Sequence, residues 1–389
     1  MNVLWMVSGF PKNTNSPSCM YYWHAFEALE KLGCTQIILE IAAWKPFLEK
    51  KNTAHSEKIM YFGKYLSIPR FYWRGVSNLF CLLQNYFLFK KIIGKHPIDV
   101  IHAHGEICGF VANFLGKKFN IPVVLTLHGI ETTARMWQGL SRKQFLKTLN
   151  AVDRLIFVGE PLQRYFHGLL MRQEHCRILH NGVRLPEERC DNKQASTFPI
   201  RIISVSLLVE GKGIDLNLRA LAKLKKMGIE NWVYIIAGDG IKRETYQKMA
   251  VMLDISEQIK WLGACSHDEV YAHLSTADVF CLPSYREAFG IAYLEAMAHG
   301  LITIGVKHQG PAAFISHEKT GFLVNPEDVD DLANTLQAVM QKYDDMQAIR
   351  EAARKHAFSS FSWEVYAKKL VNIYEEMDEC NARKISNAY

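Results

Sequence analysis

One stretch decides the fold of this chain: Pro283-Ser-Tyr-Arg-Glu-Ala-Phe-Gly-Ile-Ala-Tyr-Leu-Glu-Ala-Met-Ala-His-Gly300. It follows residues 277–282, whose mostly apolar side chains predict a buried strand, and its Gly290 precedes a helical pattern. A strand, a loop and a helix in this order present the free backbone N–H groups of the helix N-terminus to an anion. The helix dipole favours a phosphate there. The stretch therefore predicts an α/β fold with an anion site after one of its strands.

Two carboxylates accompany this predicted anion site, Glu287 in the loop and Glu295 on the helix. A phosphate accepts hydrogen bonds from the N–H groups near Phe289, Gly290 and Ile291, while carboxylates accept bonds from hydroxyl groups. Nucleotide sugars carry both phosphates and hydroxyls. A plainer interpretation stays open at this point, in which Glu287 only complements the helix N-terminus and Glu295 is solvated, since exposed glutamates are common.

The composition is that of a globular protein of about two domains, with 389 residues, of which 49% are hydrophobic and 22% charged. The net charge of +7 favours acidic partners, such as nucleotide phosphates, anionic lipids or nucleic acid. The nine cysteines form no C-x-x-C pair, which predicts a reducing compartment. The apolar start is short and lacks a basic leader, and no apolar run reaches about 18 residues. We therefore expect a cytoplasmic protein without a transmembrane helix.

Apolar strand patterns alternate with helical patterns along the chain, which predicts parallel sheets with helical crossovers. The alternation stops in the polar residues 185–198 and then starts again. We therefore predict two doubly wound domains, at 1–184 and 199–362, joined by the linker 185–198. An amphipathic helix within 363–389 is expected to pack back toward the N-terminal domain.

Residues 58–98 combine Lys, Arg and aromatic residues and contain no acidic residue. Such a segment can lie on an anionic membrane surface. An ordinary amphipathic helix over Val76–Ile93 with a basic outer face explains the pattern equally well. Nucleic-acid binding is not expected, because no nucleic-acid motif accompanies the charges.

Other candidate residues follow predicted strands, where ligands bind in open α/β sheets. Lys212 lies between two glycines and can reach a diphosphate as a point charge, although a solvated turn lysine fits the pattern as well. Gly238 belongs to a Gly-Asp-Gly run, which often marks only a tight turn. His128 can orient or hydrogen-bond a sugar, and His102 and His104 form a second candidate pair on one strand face. A zinc site made of these three histidines lacks supporting ligand spacing.

With these residues in view, nearly the whole chain resembles the family 4 retaining glycosyltransferases, which have the GT-B fold. Glu287 and Glu295 are similar to the two carboxylates of that family's Glu-x7-Glu motif. The other matching segments are Val205–Gly213, Ile236–Gly240, Trp261–Gly263, Asn181–Val183 and Gly321–Pro326. The resemblance implies two Rossmann-like domains that face each other across a cleft.

The resemblance also implies roles for the matching residues. Glu287 is expected near the donor sugar, and Glu295 on the hydroxyls of the nucleotide ribose. Lys212 is expected to stabilise the departing diphosphate. His128 matches a histidine near the reacting sugar. These four residues are the predicted centre of the site.

The rest of the implied donor site consists mainly of backbone groups. The N–H groups of Phe289, Gly290 and Ile291 are expected on the diphosphate or the donor sugar, and Gly238 and Arg286 complete the donor-binding set. The resemblance implies neither a metal nor a cofactor.

The chain departs from the family pattern in three places. Leu207 stands where an Arg is common, so Lys212 acts either alone or with Arg286. Ala313 stands where many members have a Glu that contacts the donor. Residues 16–20 replace a common Gly-Gly pair in the loop that shapes the acceptor site, so the acceptor is not identified.

The leading hypothesis is a retaining glycosyltransferase of cell-surface polysaccharide biosynthesis, for example of O-antigen, capsule or exopolysaccharide. It would move a sugar from a nucleotide sugar, with a UDP-sugar favoured over a GDP-sugar, to a glycan or lipid-linked glycan. Residues 58–98 would hold it at the inner face of the plasma membrane. One alternative is a nucleotide-sugar epimerase of the GT-B fold, which needs no acceptor. The other is a non-catalytic nucleotide-sugar-binding protein, suggested by Leu207 and Ala313.

Overall fold

A computed structural model describes residues 1–11, 20–44, 59–66, 74–129, 142–186 and 199–386 of the chain. The chain forms two compact units. Unit 1 comprises Met1–His180 and Tyr366–Tyr389, and unit 2 comprises Asn181–Val365. Three segments used in the sequence analysis lie partly outside the described residues. They are the predicted linker, from residue 187 on, the loop after the first strand, at residues 12–19, and the basic aromatic segment, at residues 67–73.

Unit 1 contains the strands β1 Asn2–Val7, β2 Thr35–Trp44, β3 Ile59–Leu66, β4 Val100–His104, β5 Val123–Leu127, β6 Arg154–Phe157 and β7 Cys176–Ile178. Its described helices before the unit boundary are α1 Met20–Lys31, α2 Arg74–Ile93, α3 Glu106–Phe119, α4 Arg142–Ala151 and α5 Glu160–His167. The strands form one parallel sheet in the order β3-β2-β1-β4-β5-β6-β7. Strands β4 and β5 are buried along their whole length, as expected when helices cover both faces of a parallel sheet.

Unit 2 contains the strands β8 Ile200–Val205, β9 Trp232–Ala237, β10 Ile259–Gly263, β11 Val279–Cys281, β12 Ile302–Val306 and β13 Phe322–Val324. Its helices are α6 Ile214–Lys226, α7 Arg243–Met252, α8 His267–Thr276, α9 Ile291–Ala298, α10 Val329–Gln341 and α11 Gln347–Ser360, and α12 Trp363–Ser386 follows them. The strands again form a parallel sheet, in the order β10-β9-β8-β11-β12-β13.

The strand order of each sheet reverses beside its first strand, between β1 and β4 in unit 1 and between β8 and β11 in unit 2. Neighbouring loops diverge at such a switch point, and ligands of doubly wound sheets bind there. The loops that follow β8 and β11 carry Lys212 and Glu287. The predicted α/β class with two doubly wound sheets is confirmed.

The strand β3 was not predicted, and it lies inside the basic aromatic segment 58–98. Among the described strands it lies at the edge of its sheet, and there it pairs only with β2. Ile59 and Phe62 are apolar but 41% and 38% exposed, so residues 59–62 lack the alternation of apolar and polar residues that marks a strand. The expected helix over 76–93 is present as α2. None of the described helices is both long and apolar enough to cross a membrane.

Candidate functional site

An ion pair joins the loops after β8 and β11. The Nζ atom of Lys212 lies 2.9 Å from Oε2 of Glu287, and the two side chains are only 17% and 14% exposed. The carbonyl oxygen of Gly211 accepts hydrogen bonds from the N–H of Tyr285 and from the hydroxyl of Ser284, both at 3.0 Å. Hydrogen bonds therefore connect the two loops, and the ion pair between them is partly shielded from solvent.

The glycine after Lys212 makes this approach of the loops possible. Gly213 has φ 74°, and a Cβ atom there would lie 2.2 Å from the carbonyl oxygen of Pro283. A side chain at this position would push the two loops apart. Steric crowding thus explains the glycine after Lys212. Lys212 itself is not a solvated turn lysine, because its side chain is largely buried and paired with Glu287.

The backbone of Glu287 is fixed by a third loop, which follows β12. The N–H of Glu287 donates to Oε1 of Gln309 at 3.1 Å, and its carbonyl oxygen accepts from the N–H of Gly310 at 2.9 Å. A Cβ atom at Gly310 would lie 2.5 Å from backbone atoms of Phe289. Gln309 was not predicted, because a single glutamine before a Gly-Pro turn carries no signal in the sequence.

The N-terminus of α9 lies beside this carboxylate. Gly290 precedes the helix with φ 92°, and no side chain caps the helix there. A Cβ atom at Gly290 would lie 3.3 Å from Cγ of Glu287. The first N–H groups of a helix have no acceptor within the helix, so this end attracts an anion. Phe289 is buried and Ile291 half-buried, so the predicted anion-binding N–H groups lie in a partly shielded place.

The second carboxylate has a partner that the sequence analysis missed. Nε2 of His267 lies 2.8 Å from Oε1 of Glu295, and Glu295 is only 9% exposed. His267 is the first residue of α8, which begins with a capping box between Ser266 and Glu269. The ring of Tyr271 lies 4.6 Å from that of His267. The capping box predicts the start of the helix, but the partner of His267 is 28 residues away in the sequence.

Steric crowding also explains why a glycine stands at position 238. It has φ 141°, and a Cβ atom there would lie 1.9 Å from the carbonyl oxygen of Ser206. Its N–H donates to the carbonyl oxygen of Gly263 at 2.7 Å. Gly238 therefore lets the ends of β8, β9 and β10 approach one another, which agrees with the plainer interpretation of the Gly-Asp-Gly run.

Arg286 lies next to the Lys212 loop. Its guanidinium is 5.9 Å from the ring centroid of Tyr285, and its methylene groups approach Gly211 so closely that a Cβ atom there would lie 3.0 Å from Cδ of Arg286. Arg286 is exposed, and Leu207 is 58% exposed. The cation expected at position 207 is therefore replaced by an exposed leucine, and Arg286 brings a second cation to the loop that carries Lys212.

His128 belongs to a group of three histidines in unit 1. Nδ1 of His104 lies 2.9 Å from Nε2 of His128. His102 has partners on both ring nitrogens, with Nδ1 at 2.6 Å from the hydroxyl of Tyr374 and Nε2 at 2.8 Å from Oγ1 of Thr126. Tyr374 was not predicted as a partner, since it lies 272 residues away on α12.

Burial keeps these three rings uncharged. Desolvation lowers the pKa of His102 and of His128 to about 3, and it holds the pKa of His104 well below its usual value. The neighbouring imidazoles lower the pKa of His102 and His104 further. Within the described ranges, no three His, Cys, Asp or Glu side chains are placed to hold a metal ion. The histidines bond to each other and to hydroxyl groups instead.

Two family models match the chain. Residues 188–356 match the model of the glycosyl transferases group 1, and residues 21–186 match that of glycosyltransferase family 4. The chain belongs to the family 4 glycosyltransferases. The resemblance that rested on the Glu-x7-Glu motif is thereby confirmed.

Known proteins similar to this family 4 glycosyltransferase include a relative from Erwinia amylovora, the amylovoran biosynthesis glycosyltransferase AmsK. The two are 25% identical over 287 residues, which cover 72% of this chain and 70% of the relative. The solved lipopolysaccharide outer core galactosyltransferase WaaB superposes with a TM-score of 0.74 at 16% identity, over 97% of this chain and 100% of the other. The structure of Anabaena HepE in complex with UDP-glucose superposes with a TM-score of 0.70 at 16% identity, over 97% of this chain and 100% of HepE. These similarities establish the GT-B fold.

The family 4 glycosyltransferase is therefore a GT-B enzyme of sugar transfer, and the geometry brings its predicted residues together in two places. Lys212, Glu287 and the N-terminus of α9 meet in unit 2, while His128 lies in unit 1. The roles assigned to the individual site residues stay predictions.

Proposed function

We propose that this glycosyltransferase moves a sugar from a nucleotide-sugar donor to a glycan or lipid-linked glycan acceptor, with retention of the anomeric configuration. The observation that carries the proposal is the ion pair of Lys212 and Glu287 beside the uncapped N-terminus of α9. A cation and a helix N-terminus suit a diphosphate, and a carboxylate suits the hydroxyls of a sugar. The names of the amylovoran and lipopolysaccharide enzymes support a role in the biosynthesis of a cell-surface polysaccharide.

The proposed reaction breaks the bond between C1 of the donor sugar and an oxygen of the diphosphate, and that oxygen keeps the electron pair. Lys212 exchanges Glu287 for this oxygen, so Lys212 and the helix N-terminus oppose the growing negative charge, and they take the place of a metal ion. A preorganised donor of this kind is worth about 3–4 kcal/mol of barrier. The acceptor hydroxyl attacks C1 from the face that the diphosphate leaves, and its proton departs on the diphosphate.

The other residues hold the donor in place in this proposal. Glu287, once released by Lys212, accepts hydrogen bonds from hydroxyls of the donor sugar. Glu295 accepts bonds from the ribose hydroxyls, and His267 fixes the orientation of its carboxylate. His128 hydrogen-bonds the reacting sugar. Fixed groups of this kind lower the entropic part of the barrier, because the reacting atoms are already aligned.

The donor is proposed to be a UDP-sugar in preference to a GDP-sugar, which the complex of HepE with UDP-glucose supports. A thermal-shift panel of UDP-sugars, GDP-sugars, UDP and GDP tests this choice. A ligand that binds only the folded protein stabilises it by about 2.7 kcal/mol at 100 times its Kd. We expect one UDP-sugar to give the largest shift, and a larger shift with a GDP-sugar would overturn the preference.

Product analysis with the stabilising donor tests the reaction itself. We expect a glycoside of retained configuration when a lipid-linked glycan is present, and strongly reduced turnover in Glu287→Ala. An epimerised nucleotide sugar formed without acceptor would establish the epimerase, and an absence of any turnover would establish a binding protein. Equal turnover in the wild type and Glu287→Ala would remove Glu287 from the mechanism.

We also propose that α2 holds the enzyme on the anionic inner face of the plasma membrane. Leu79, Leu83 and Phe87 recur every four residues on this helix and are 56%, 50% and 67% exposed. Lys90 and Lys91 are exposed on the next turn. An apolar stripe that continues into cations suits a surface of anionic lipids. Lipid-linked acceptors are found at such a surface.

A further inference from the structure

His104 is a buried residue that the proposed reaction does not yet use. It ends strand β4, and its ring is only 2% exposed. The half-buried His128 follows the neighbouring strand β5, and the two rings are stacked with centroids 5.1 Å apart and planes at 22°. Nδ1 of His104 and Nε2 of His128 are 2.9 Å apart, which is a hydrogen bond with one proton between two nitrogens.

This proton can belong to either ring, and its place decides what His128 offers to a ligand. A neutral imidazole has one N–H and one bare nitrogen. If His104 donates, His128 carries its own proton on Nδ1. If His128 donates, His104 carries its proton on Nε2, and His128 keeps a bare Nδ1. Neither Nε2 of His104 nor Nδ1 of His128 has a hydrogen-bond partner in the part of the chain that the structure describes.

The surroundings of the two rings favour donation by His104. The ring of His104 is stacked against Trp5 with centroids 4.7 Å apart, and it contacts His102 at 4.2 Å. An N–H at its Nε2 would be buried among these rings. His128 lies at the edge of the group beside Tyr21 and Tyr22 and is half-buried as a residue, so its Nδ1 atom, although buried, lies closer to the surface of the group than the enclosed Nε2 atom of His104. Buried N–H groups without an acceptor are rare in proteins, and a bound sugar can supply the missing acceptor only at the edge of the group, which favours the proton on Nδ1 of His128.

We propose that His104 is a positioning residue, whose Nδ1–H donates to Nε2 of His128 and thereby fixes the ring and makes Nδ1–H of His128 a hydrogen-bond donor to an oxygen of the reacting sugar. The inference rests on the proposed function, in which His128 contacts that sugar. It goes further by excluding His128 as a general base, because its lone pair is occupied by the proton of His104. His102, held by Tyr374 and Thr126, packs against the ring of His104.

The first test reads the proton directly and needs no turnover. The full chain is labelled with 15N-histidine, and two-bond 1H–15N spectra are recorded near neutral pH, with His128→Gln and His104→Asn used for assignment. We expect the protonated nitrogen of His128 to be Nδ1. A proton on Nε2 of His128, or a doubly protonated ring, overturns the inference even if the enzyme transfers sugar normally. An enzyme without transferase activity would refute the proposed function, and the spectrum would still decide the place of the proton.

The second test separates positioning from packing with two variants of nearly equal size. The amide of Asn keeps an N–H donor where Nδ1 of His104 lies, whereas Leu has none, so His104→Asn is the matched control for His104→Leu. We expect kcat to fall about 100-fold in His104→Leu and much less in His104→Asn, with the KM for the donor nearly unchanged in both. Equal losses in the two variants would show that His104 only fills space.

Discussion

The Nζ atom of Lys212 lies 2.9 Å from Oε2 of Glu287, although 75 residues separate them in the sequence. The contact exists because β8 and β11 are neighbours on the two sides of the switch point, so that their loops start side by side. Each charge compensates the other in a partly buried place. In the proposed mechanism, a diphosphate that enters has to compete with the carboxylate for the cation, which would couple the binding of the donor to the release of Glu287.

Removing this cation tests its role in catalysis. We expect Lys212→Ala to lower kcat at least about 100-fold, because the charge of the departing diphosphate loses its preorganised partner. Lys212→Arg should retain more of the rate, since it keeps the charge. Initial rates at saturating donor measure both. Lys223→Ala is the control, because Lys223 makes a comparable ion pair with Asp330 on the exposed surface. A wild-type kcat in Lys212→Ala would contradict the assignment.

The hydrogen bond between His267 and Glu295 should act on donor affinity. A hydrogen bond to a charged group contributes about 1.5–3 kcal/mol, and a loss at the lower end corresponds to about a tenfold change in affinity. We therefore expect His267→Phe to raise the Kd of the donor nucleotide about tenfold with little change in kcat. Titration calorimetry with the free nucleotide measures it. His273→Phe on the same helix is the control, and an equal loss in both variants would point to a disturbance of α8.

Gly290 should be more sensitive to substitution than other glycines of the same conformation. A left-handed backbone costs a non-glycine residue about 1–2 kcal/mol. At Gly290 a Cβ atom would also lie 2.6 Å from the ring of Tyr293, whereas at Gly228, with φ 77°, it would meet no atom within 4 Å. We expect Gly228→Ala to lower the free energy of unfolding by about 1 kcal/mol and Gly290→Ala by about 3 kcal/mol. Urea unfolding of both variants checks the difference, and similar values would refute it.

The buried histidines of unit 1 predict a loss of stability in acid. The pKa of His102 and of His128 in the folded protein is about 3, below the value of about 6.5 in an unfolded chain. Between these values the unfolded chain binds more protons, so the free energy of unfolding falls as the pH falls from about 6.5 toward 3. Each ring contributes a slope of about 1.4 kcal/mol per pH unit. Urea unfolding between pH 5 and pH 7.5 measures this slope. In His128→Gln the slope should be smaller by about 1.4 kcal/mol per pH unit, because one proton fewer is taken up on unfolding. An unchanged slope in that variant would contradict the buried, neutral state.

The basic end of α2 should control binding to lipid. Replacing Lys90, Lys91 and Lys95 with Glu reverses three exposed charges, and we expect this variant to leave anionic liposomes in a sedimentation assay, because each basic residue near an anionic surface is worth about 1 kcal/mol. The charge-matched control replaces three exposed lysines of unit 2, Lys319, Lys342 and Lys355. Equal binding by the two variants would exclude α2 as the membrane contact.

The elements around the site could be predicted from the sequence because their signals are local. Gly290 stands before an apolar helical pattern, and Lys212 stands between two glycines, so the local sequence is enough to place the first at a helix N-terminus and the second in a loop after a strand. The structure has both residues in these positions. The partners could not be predicted, because they come from other parts of the chain. His267 meets Glu295, and His104 meets His128, only through the order of the strands. The edge strand β3 was missed for a related reason, since exposed apolar side chains remove the alternation that marks a strand.

The bond between His102 and Tyr374 also bears on how the protein is made. A ribosome that has just finished β4 has produced one partner, and the other appears only 272 residues later, after the whole of unit 2 has been synthesised. Until then His102 has the hydroxyl of Thr126 as a partner for Nε2, but it lacks the hydroxyl of Tyr374 for Nδ1. The histidine environment of unit 1 is therefore completed only after the whole of unit 2 has been synthesised, because Tyr374 follows unit 2 in the chain.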